Sequence, residues 1–133
     1  MILLDTHALI WLANDDPALG EQSCSMALAA RAESRLAISA ISFWEIALLA
    51  TKGRLELRDE PAALRAQLLD AGIVELPLTG DIALLAVELP DLPGDPADRF
   101  IVATAMMHDA TLVTADARLL RWRSEVKRQN AAS

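Results

Sequence analysis

An α/β fold, a three-layer α/β/α sandwich around a central, mostly parallel sheet, is what this sequence predicts, on three observations. Short apolar runs of strand length alternate with longer helical patterns along the whole chain. The stretches between successive runs are long enough to hold helices, as parallel pairing demands. No repeat, low-complexity tract or long linker interrupts the alternation, so residues 1–133 read as one domain.

Met1–Asp5 opens as a buried strand and is followed by a short helix over Thr6–Ala13, which ends near Asn14-Asp15-Asp16-Pro17. Ala18–Ser34 reads as a longer helix with Leu19, Met26 and Leu28 among its apolar residues, and Leu36–Ser39 as the second strand. Ser42 opens the next helix, which runs through about Thr51 and closes on Lys52-Gly53-Arg54, basic and glycine residues suited to a carboxyl end. Pro61 begins another helix, reaching Ala71-Gly72, and Ile73–Leu76 is the third strand. Thr79–Leu89 is helical and stops before Pro90. Pro90–Pro96, with three prolines and a glycine, is the clearest loop, and it delivers Asp98 into the first turn of a helix over Pro96–His108. Thr111–Thr114 is the fourth strand, Asp116 begins a final short helix, and Trp122–Lys127 supplies an edge strand.

The hydrophobic content of 53% is enough for a continuous core at this length. The longest uncharged stretches, such as Thr6–Asn14, Leu36–Trp44 and Phe100–His108, fall well short of the roughly 20 residues of a membrane span. Met1–Leu4 has no basic flank and stops at Asp5, unlike a signal peptide. The expectation is a soluble, cytoplasmic protein. The single cysteine, Cys24, offers no internal disulfide or cysteine-rich zinc site and reads as a small apolar helix residue. A formal charge of −7 argues against coating nucleic acid by bulk electrostatics, yet it leaves a nuclease open, since an acidic metal site contributes several of those charges. Against that background, Arg118, Arg121, Arg123, Lys127 and Arg128 face only Glu125 in the tail. They form either a patch for phosphates or an acidic partner, or a solvated helix end.

Four acids stand where strands end or helices begin: Asp5, Glu45, Asp98 and Asp116. Strand carboxyl ends in an open α/β sheet converge on one crevice, so acids distant in sequence can meet there. Crowded carboxylates resist ionising unless a divalent cation neutralises them, and a Mg²⁺ or Mn²⁺ site is the first hypothesis. Each acid also has a structural explanation. Asp5 can cap the helix it precedes, with Thr6 sharing that role. Ser42-Phe43-Trp44-Glu45 spells a capping box, although Glu45 lies among apolar residues where a lone charge is costly. Asp98 is the third residue of a helix that Asp95 can cap and Pro96 begin; of the two, Asp95 is the more structural, within reach of a hydrated ion. Arg99 can hold a carboxylate for the metal, orient a phosphate or form a surface ion pair. Thr114 or Asp116 can cap the last helix, and the Thr114 hydroxyl can bond a neighbouring carboxylate or water. Four such acids, each able to face one crevice, are explained better by a shared ligand than by capping.

His7 and His108 lack the cysteines or spacing of a zinc site. Trp11 and Trp44 fit apolar helix faces as core or dimer contacts, and Trp122 is expected near solvent.

At these residues the chain resembles PIN-domain ribonucleases, specifically the VapC-type toxins of bacterial toxin–antitoxin pairs. The resemblance rests on five blocks in family order: Leu3–Trp11, Ser39–Ala47, Lys52–Leu55, Asp95–Ala103 and Leu112–Asp116. It implies an α/β/α fold, Mg²⁺- or Mn²⁺-dependent endoribonuclease activity, a homodimer and inhibition by a small cognate antitoxin. It also implies an acidic quartet of Asp5, Glu45, Asp98 and Asp116, with Thr6 and Thr114 in support. Arg121–Ser133 departs most from the family pattern.

Two rival enzymes fit less well. Asp5-Thr6-His7 lacks the second acid two positions on that a haloacid-dehalogenase-like aspartyl nucleophile needs, and a phosphoreceiver domain needs a late lysine and an aspartate after a middle strand, whereas Ile73–Leu76 leads to Pro77. The non-enzymatic alternative is a PIN-like interaction module without chemistry.

Overall fold

The computed structural model describes residues 1–55, 57–92 and 95–133. The elements are β1 (Ile2–Leu4), α1 (Thr6–Ala13), α2 (Glu21–Ala32), β2 (Leu36–Ser39), α3 (Ala40–Thr51), α4 (Pro61–Asp70), β3 (Val74–Leu76), α5 (Gly80–Glu88), α6 (Pro96–Met107), β4 (Thr111–Thr114), α7 (Ala117–Arg121) and β5 (Arg128–Asn130). The strands form one sheet in the order β3-β2-β1-β4-β5, every pair parallel, in register at Leu4↔Ile38, Leu4↔Val113, Ser39↔Leu76 and Thr114↔Asn130.

Alternation along the strands divides the core into two layers. Leu3, Ala37, Leu76 and Leu112 pack with Ile82 and Ala86 of α5, Ile101 and Val102 of α6, and Leu119 of α7. Leu4, Leu36, Ile38 and Val113 pack on the opposite face with Leu9 of α1, Ala27 of α2, Ile46 of α3 and Leu68 of α4. A fully buried leucine such as Leu3 or Leu4 contributes about 1.5–3 kcal/mol over an exposed one, and it does so only while the parity of its strand is kept. This is the expected three-layer sandwich.

The direction of chain travel places the crevice. After β1 the chain moves outward through β2 to β3, then returns to the other flank of β1 for β4 and β5. The order therefore reverses between β1 and β4, where the carboxyl ends of both strands open a gap that helices cannot cover. The Asp5 amide, donating to the Val113 carbonyl at 3.0 Å, stitches the floor of that gap.

Several boundaries differ from expectation for identifiable reasons. The helix expected from Ala18 starts at Glu21, with Gly20 as its cap; an added Cβ on Gly20 would stand 2.1 Å from the Ser133 carbonyl carbon. Residues 131–133 are docked there: Gly20 N–H donates to Ala131 O at 2.8 Å, and Gln22 and Ser23 N–H to Ser133 O at 2.9 and 3.1 Å. The helix expected from Ser42 begins two residues earlier, because Ser39 ends β2 in extended conformation and its hydroxyl accepts from the Ile41 amide at 3.2 Å. The expected strand Trp122–Lys127 is corrected to Arg128–Asn130. The intervening residues are bends held by the Arg128 guanidinium, which donates to the carbonyls of Leu119 (2.8 Å), Trp122 and Ser124 (3.2 Å). Trp122, expected near solvent, is only 8% exposed, and its Nε1 donates to Pro90 O at 3.0 Å. Trp44 is 55% exposed and forms no part of the core, whereas Cys24 on α2 is partly buried against the core. In the expected Pro90–Pro96 loop, Pro93 and Gly94 lie outside the described residues. The outermost strands β3 and β5 are three residues each, and on β3 Glu75 accepts two bonds from Arg65, at 2.7 and 2.9 Å.

Candidate active site

At the switch point an open crevice of about 450 Å³ is lined by Asp5, Glu45, Asp95, Asp98 and Asp116 together with Thr6, His7, Trp11, Ala115 and Arg118. The four acids singled out in the sequence thus share one cavity, each carried by a different element: the ends of β1 and β4, and the facing helices α3 and α6, which pack against each other.

Asp5 caps α1 and also faces the crevice. Its Oδ1 accepts from the Ala8 amide at 2.8 Å as the cap of α1, and the residue, 8% exposed, also lines the crevice. Burial raises its pKa, against the lowering effects of the Thr114 hydroxyl and the Ala8 amide. Thr114 is buried and serves two neighbours, since its Oγ1 also accepts from the Asp116 amide at 3.1 Å.

Glu45 is freed from the capping role its sequence suggested. Ser42 lies inside α3, fully buried, where its hydroxyl accepts from Thr6 Oγ1 at 3.0 Å. That bond ties the start of α1 to α3 and so fixes the acid after β1 relative to the acid on α3. The capping box stands instead on α6: the Asp98 amide donates to Asp95 Oδ1 at 3.1 Å, and the Asp95 amide to Asp98 Oδ2 at 3.3 Å. Asp98 is pushed up to about 7, first by burial and then by the Asp95 charge, with Glu45 and Asp116 adding to it and the Asp95 amide opposing.

Asp116 caps α7 through the Arg118 amide at 2.8 Å and meets the Arg118 guanidinium with both oxygens: Nε to Oδ1 at 3.3 Å and Nη2 to Oδ2 at 3.0 Å. The guanidinium holds its pKa below the ordinary value. Among the described residues, no three His, Cys, Asp or Glu side chains stand grouped as a ready cation cage. Asp116 is turned onto Arg118, and Asp95 and Asp98 accept from each other's amides. The donor set itself fits a hard divalent ion, being carboxylate oxygen throughout with no thiolate, and Asp98 carries uncompensated repulsion that such an ion would relieve.

Arg99 is corrected outright. It neither holds a carboxylate nor faces the crevice for a phosphate; its guanidinium donates to the carbonyls of Ala86, Leu89 and Leu92 at 3.0, 3.3 and 3.2 Å, closing the end of α5. The basic tail likewise disperses, with Arg128 spent on main-chain carbonyls, Lys127 on Asp109 at 3.2 Å and Arg118 turned into the crevice. His7, Trp11 and Ala115 line the crevice without having been assigned to it from the sequence, and Arg118 lines it where the sequence suggested only a basic patch in the tail. Trp11 packs one side on the core, as expected, and lines the crevice with the other. The contact of Arg118 is local, reaching back two residues to the Asp116 that caps α7.

Comparison with known proteins identifies the family and the fold. The family model described as PIN domain matches residues 2–124. Ribonuclease VapC22 of Mycobacterium tuberculosis (strain ATCC 25618 / H37Rv) is 40% identical over 121 residues, covering 89% of this chain and 88% of that protein. Among solved structures, VapBC2 from Rickettsia felis bound to a promoter DNA fragment matches with a TM-score of 0.71 at 21% identity, covering 98% of both chains. DNA-bound VapBC from Salmonella typhimurium matches at 0.70 and 20%, covering 97% of this chain and 98% of that one. These two likenesses speak for the fold. A family model spanning nearly the whole chain and a relative at 40% identity make the assignment plain: the chain belongs to the PIN-domain family, among its VapC-type members.

Proposed function

We propose that the protein is a Mg²⁺- or Mn²⁺-dependent endoribonuclease that hydrolyses RNA phosphodiester bonds, the toxin of a toxin–antitoxin pair. The observation that carries the reading is the meeting of Asp5, Glu45, Asp98 and Asp116 in one crevice at the switch point of a PIN fold. Asp5, Asp98 and Asp116 would hold the ion, with Glu45 binding directly or through water and Asp95 within reach of its hydration shell. When bound, such an ion polarises the phosphoryl group and offsets the negative charge that develops on it.

The protein's own residues set the stage for that chemistry. Asp5 is fixed by the Ala8 amide and the Thr114 hydroxyl, so its carboxylate needs little reorganisation. The Thr6–Ser42 bond sets the spacing of α1 and α3. Asp98, ionising near neutrality without a cation, holds a proton that cation entry displaces. Until then the acids repel RNA, which couples substrate entry to the ion.

The same proposal includes a small cognate antitoxin, a homodimer and a cytoplasmic location. Leu84 and Val87 on α5, 70% and 80% exposed, are apolar surface of the kind such contacts cover. Among the described residues, no helix is long and apolar enough to cross a membrane. The alternative, an inactive PIN-like interaction module, draws on one observation, the lack of a ready cation cage among the described residues. Labelled RNA incubated with antitoxin-free protein in Mg²⁺, Mn²⁺ or EDTA separates the two. Cleavage that needs the ion and disappears in Asp5→Asn, with the circular dichroism spectrum unchanged, supports the nuclease; absence of cleavage with either ion supports the module.

A further inference from the structure

Arg118 is the one permanently charged cation among the described residues that line the crevice. Its guanidinium grips both oxygens of Asp116, while its side chain remains 57% exposed. An exposed pair of this kind is weak enough for a divalent ion to displace. The planar fork that fits a carboxylate fits a phosphate equally well. Arg99 and Arg128, by contrast, close on main-chain carbonyls.

We propose that Arg118 is a counter-ion that changes partners, holding Asp116 while the crevice lacks a cation and passing to an RNA phosphate once a divalent ion takes that carboxylate. The inference rests on the metal-dependent ribonuclease reading above. It makes Arg118 a positioning residue for substrate and a competitor of the metal. It also accounts for the turned-away Asp116, which the ion must recapture before the acids can act together.

Two binding measurements test the exchange without relying on cleavage. Calorimetric titration with Mn²⁺ should show Arg118→Gln binding about two- to fivefold tighter than the unaltered protein, the range an exposed ion pair commands. In EDTA, fluorescence anisotropy of a short labelled single-stranded RNA should show Asp116→Asn binding more tightly than the unaltered protein, because Arg118 is released. That gain should be about two- to fivefold larger than the gain from Asp116→Asn in an Arg118→Gln background. Equal gains in the two backgrounds, or unchanged Mn²⁺ affinity in Arg118→Gln, would overturn the exchange. Asp98→Asn and Glu45→Gln serve as controls for the underlying site. If they weaken Mn²⁺ binding while the Arg118 variants behave as just described for failure, the exchange alone is wrong; if they leave Mn²⁺ binding unchanged, the site and the exchange fall together.

Discussion

Replacing Asp98 by asparagine should stabilise the metal-free protein at mildly alkaline pH and have little effect in acid. Folding moves the Asp98 carboxyl from its ordinary 3.8 up to about 7, through burial first and the Asp95 charge second. The folded protein therefore holds this proton more tightly than the unfolded chain does. Between those two values unfolding releases the proton, so raising the pH favours unfolding, and the penalty is complete once the pH exceeds about 7. Taken at face value the shift converts to about 4 kcal/mol, but Asp98 borders an open crevice where water screens the charge, and about 1–2 kcal/mol is the expected effect. Asparagine keeps a carbonyl oxygen for the Asp95 amide and removes the charge. Urea unfolding in EDTA across roughly pH 4 to 8 measures the difference between Asp98→Asn and the unaltered protein directly. The difference should grow in favour of the variant as pH rises, and saturating Mn²⁺ should shrink or reverse it by stabilising the ionised form. A pH-independent difference, or a variant less stable near pH 8, would refute the claim that uncompensated charge resides on Asp98.

Other perturbations probe the frame around the site. Gly20→Ala should cost about 2–3 kcal/mol in thermal unfolding, because the new methyl group meets Ser133 main-chain atoms and must push residues 131–133 away. An unchanged midpoint would mean that those residues are not docked in solution. Ser42→Ala should cost about 1–3 kcal/mol by leaving the buried Thr6 hydroxyl unpaired, and adding Thr6→Val should recover most of it; a double variant no better than the single one would contradict this tie. Arg99→Gln should cost about 2 kcal/mol, with no effect on Mn²⁺ affinity, since three carbonyls around the end of α5 lose a charged donor. Weakened Mn²⁺ binding there would return Arg99 to the site.

The parts of the fold legible in the sequence are those where burial alone decides. β2, β4 and α1 fall at the expected residues, the two strands because two-sided burial leaves the apolar centres Leu36-Ala37-Ile38 and Leu112-Val113, and proline marks the starts of α4 and α6. The edge strand was misplaced for the converse reason. Arg128-Gln129-Asn130 pairs with only one neighbour and faces water, so its sequence carries no apolar signal, while the more apolar Trp122–Lys127 is crossover. Local rules also misjudged the caps: Ser42 and Glu45 satisfy the pattern of a capping box, but the chain turns helical at Ala40, and the box forms at Asp95 and Asp98 with a shorter acid. The sharing of one cavity by the four acids was legible because Asp5 and Asp116 follow strand ends and Glu45 and Asp98 stand in the opening turns of helices that face them. The tasks of Arg99 and Arg128 were not, since a guanidinium on a long stem selects among carbonyls that the folded chain brings close.

The shortness of β3 and β5 bears on how this protein avoids sticking to itself. A stray extended segment seeking to lengthen the ladder would find only three residues of open main chain along either rim. On the β3 side it would also have to displace the Arg65–Glu75 clamp, stripping two charges of water for a handful of bonds. The exposed apolar side chains Leu84 and Val87 lie on α5, away from both rims, so main-chain pairing and apolar contact are offered by different parts of the surface.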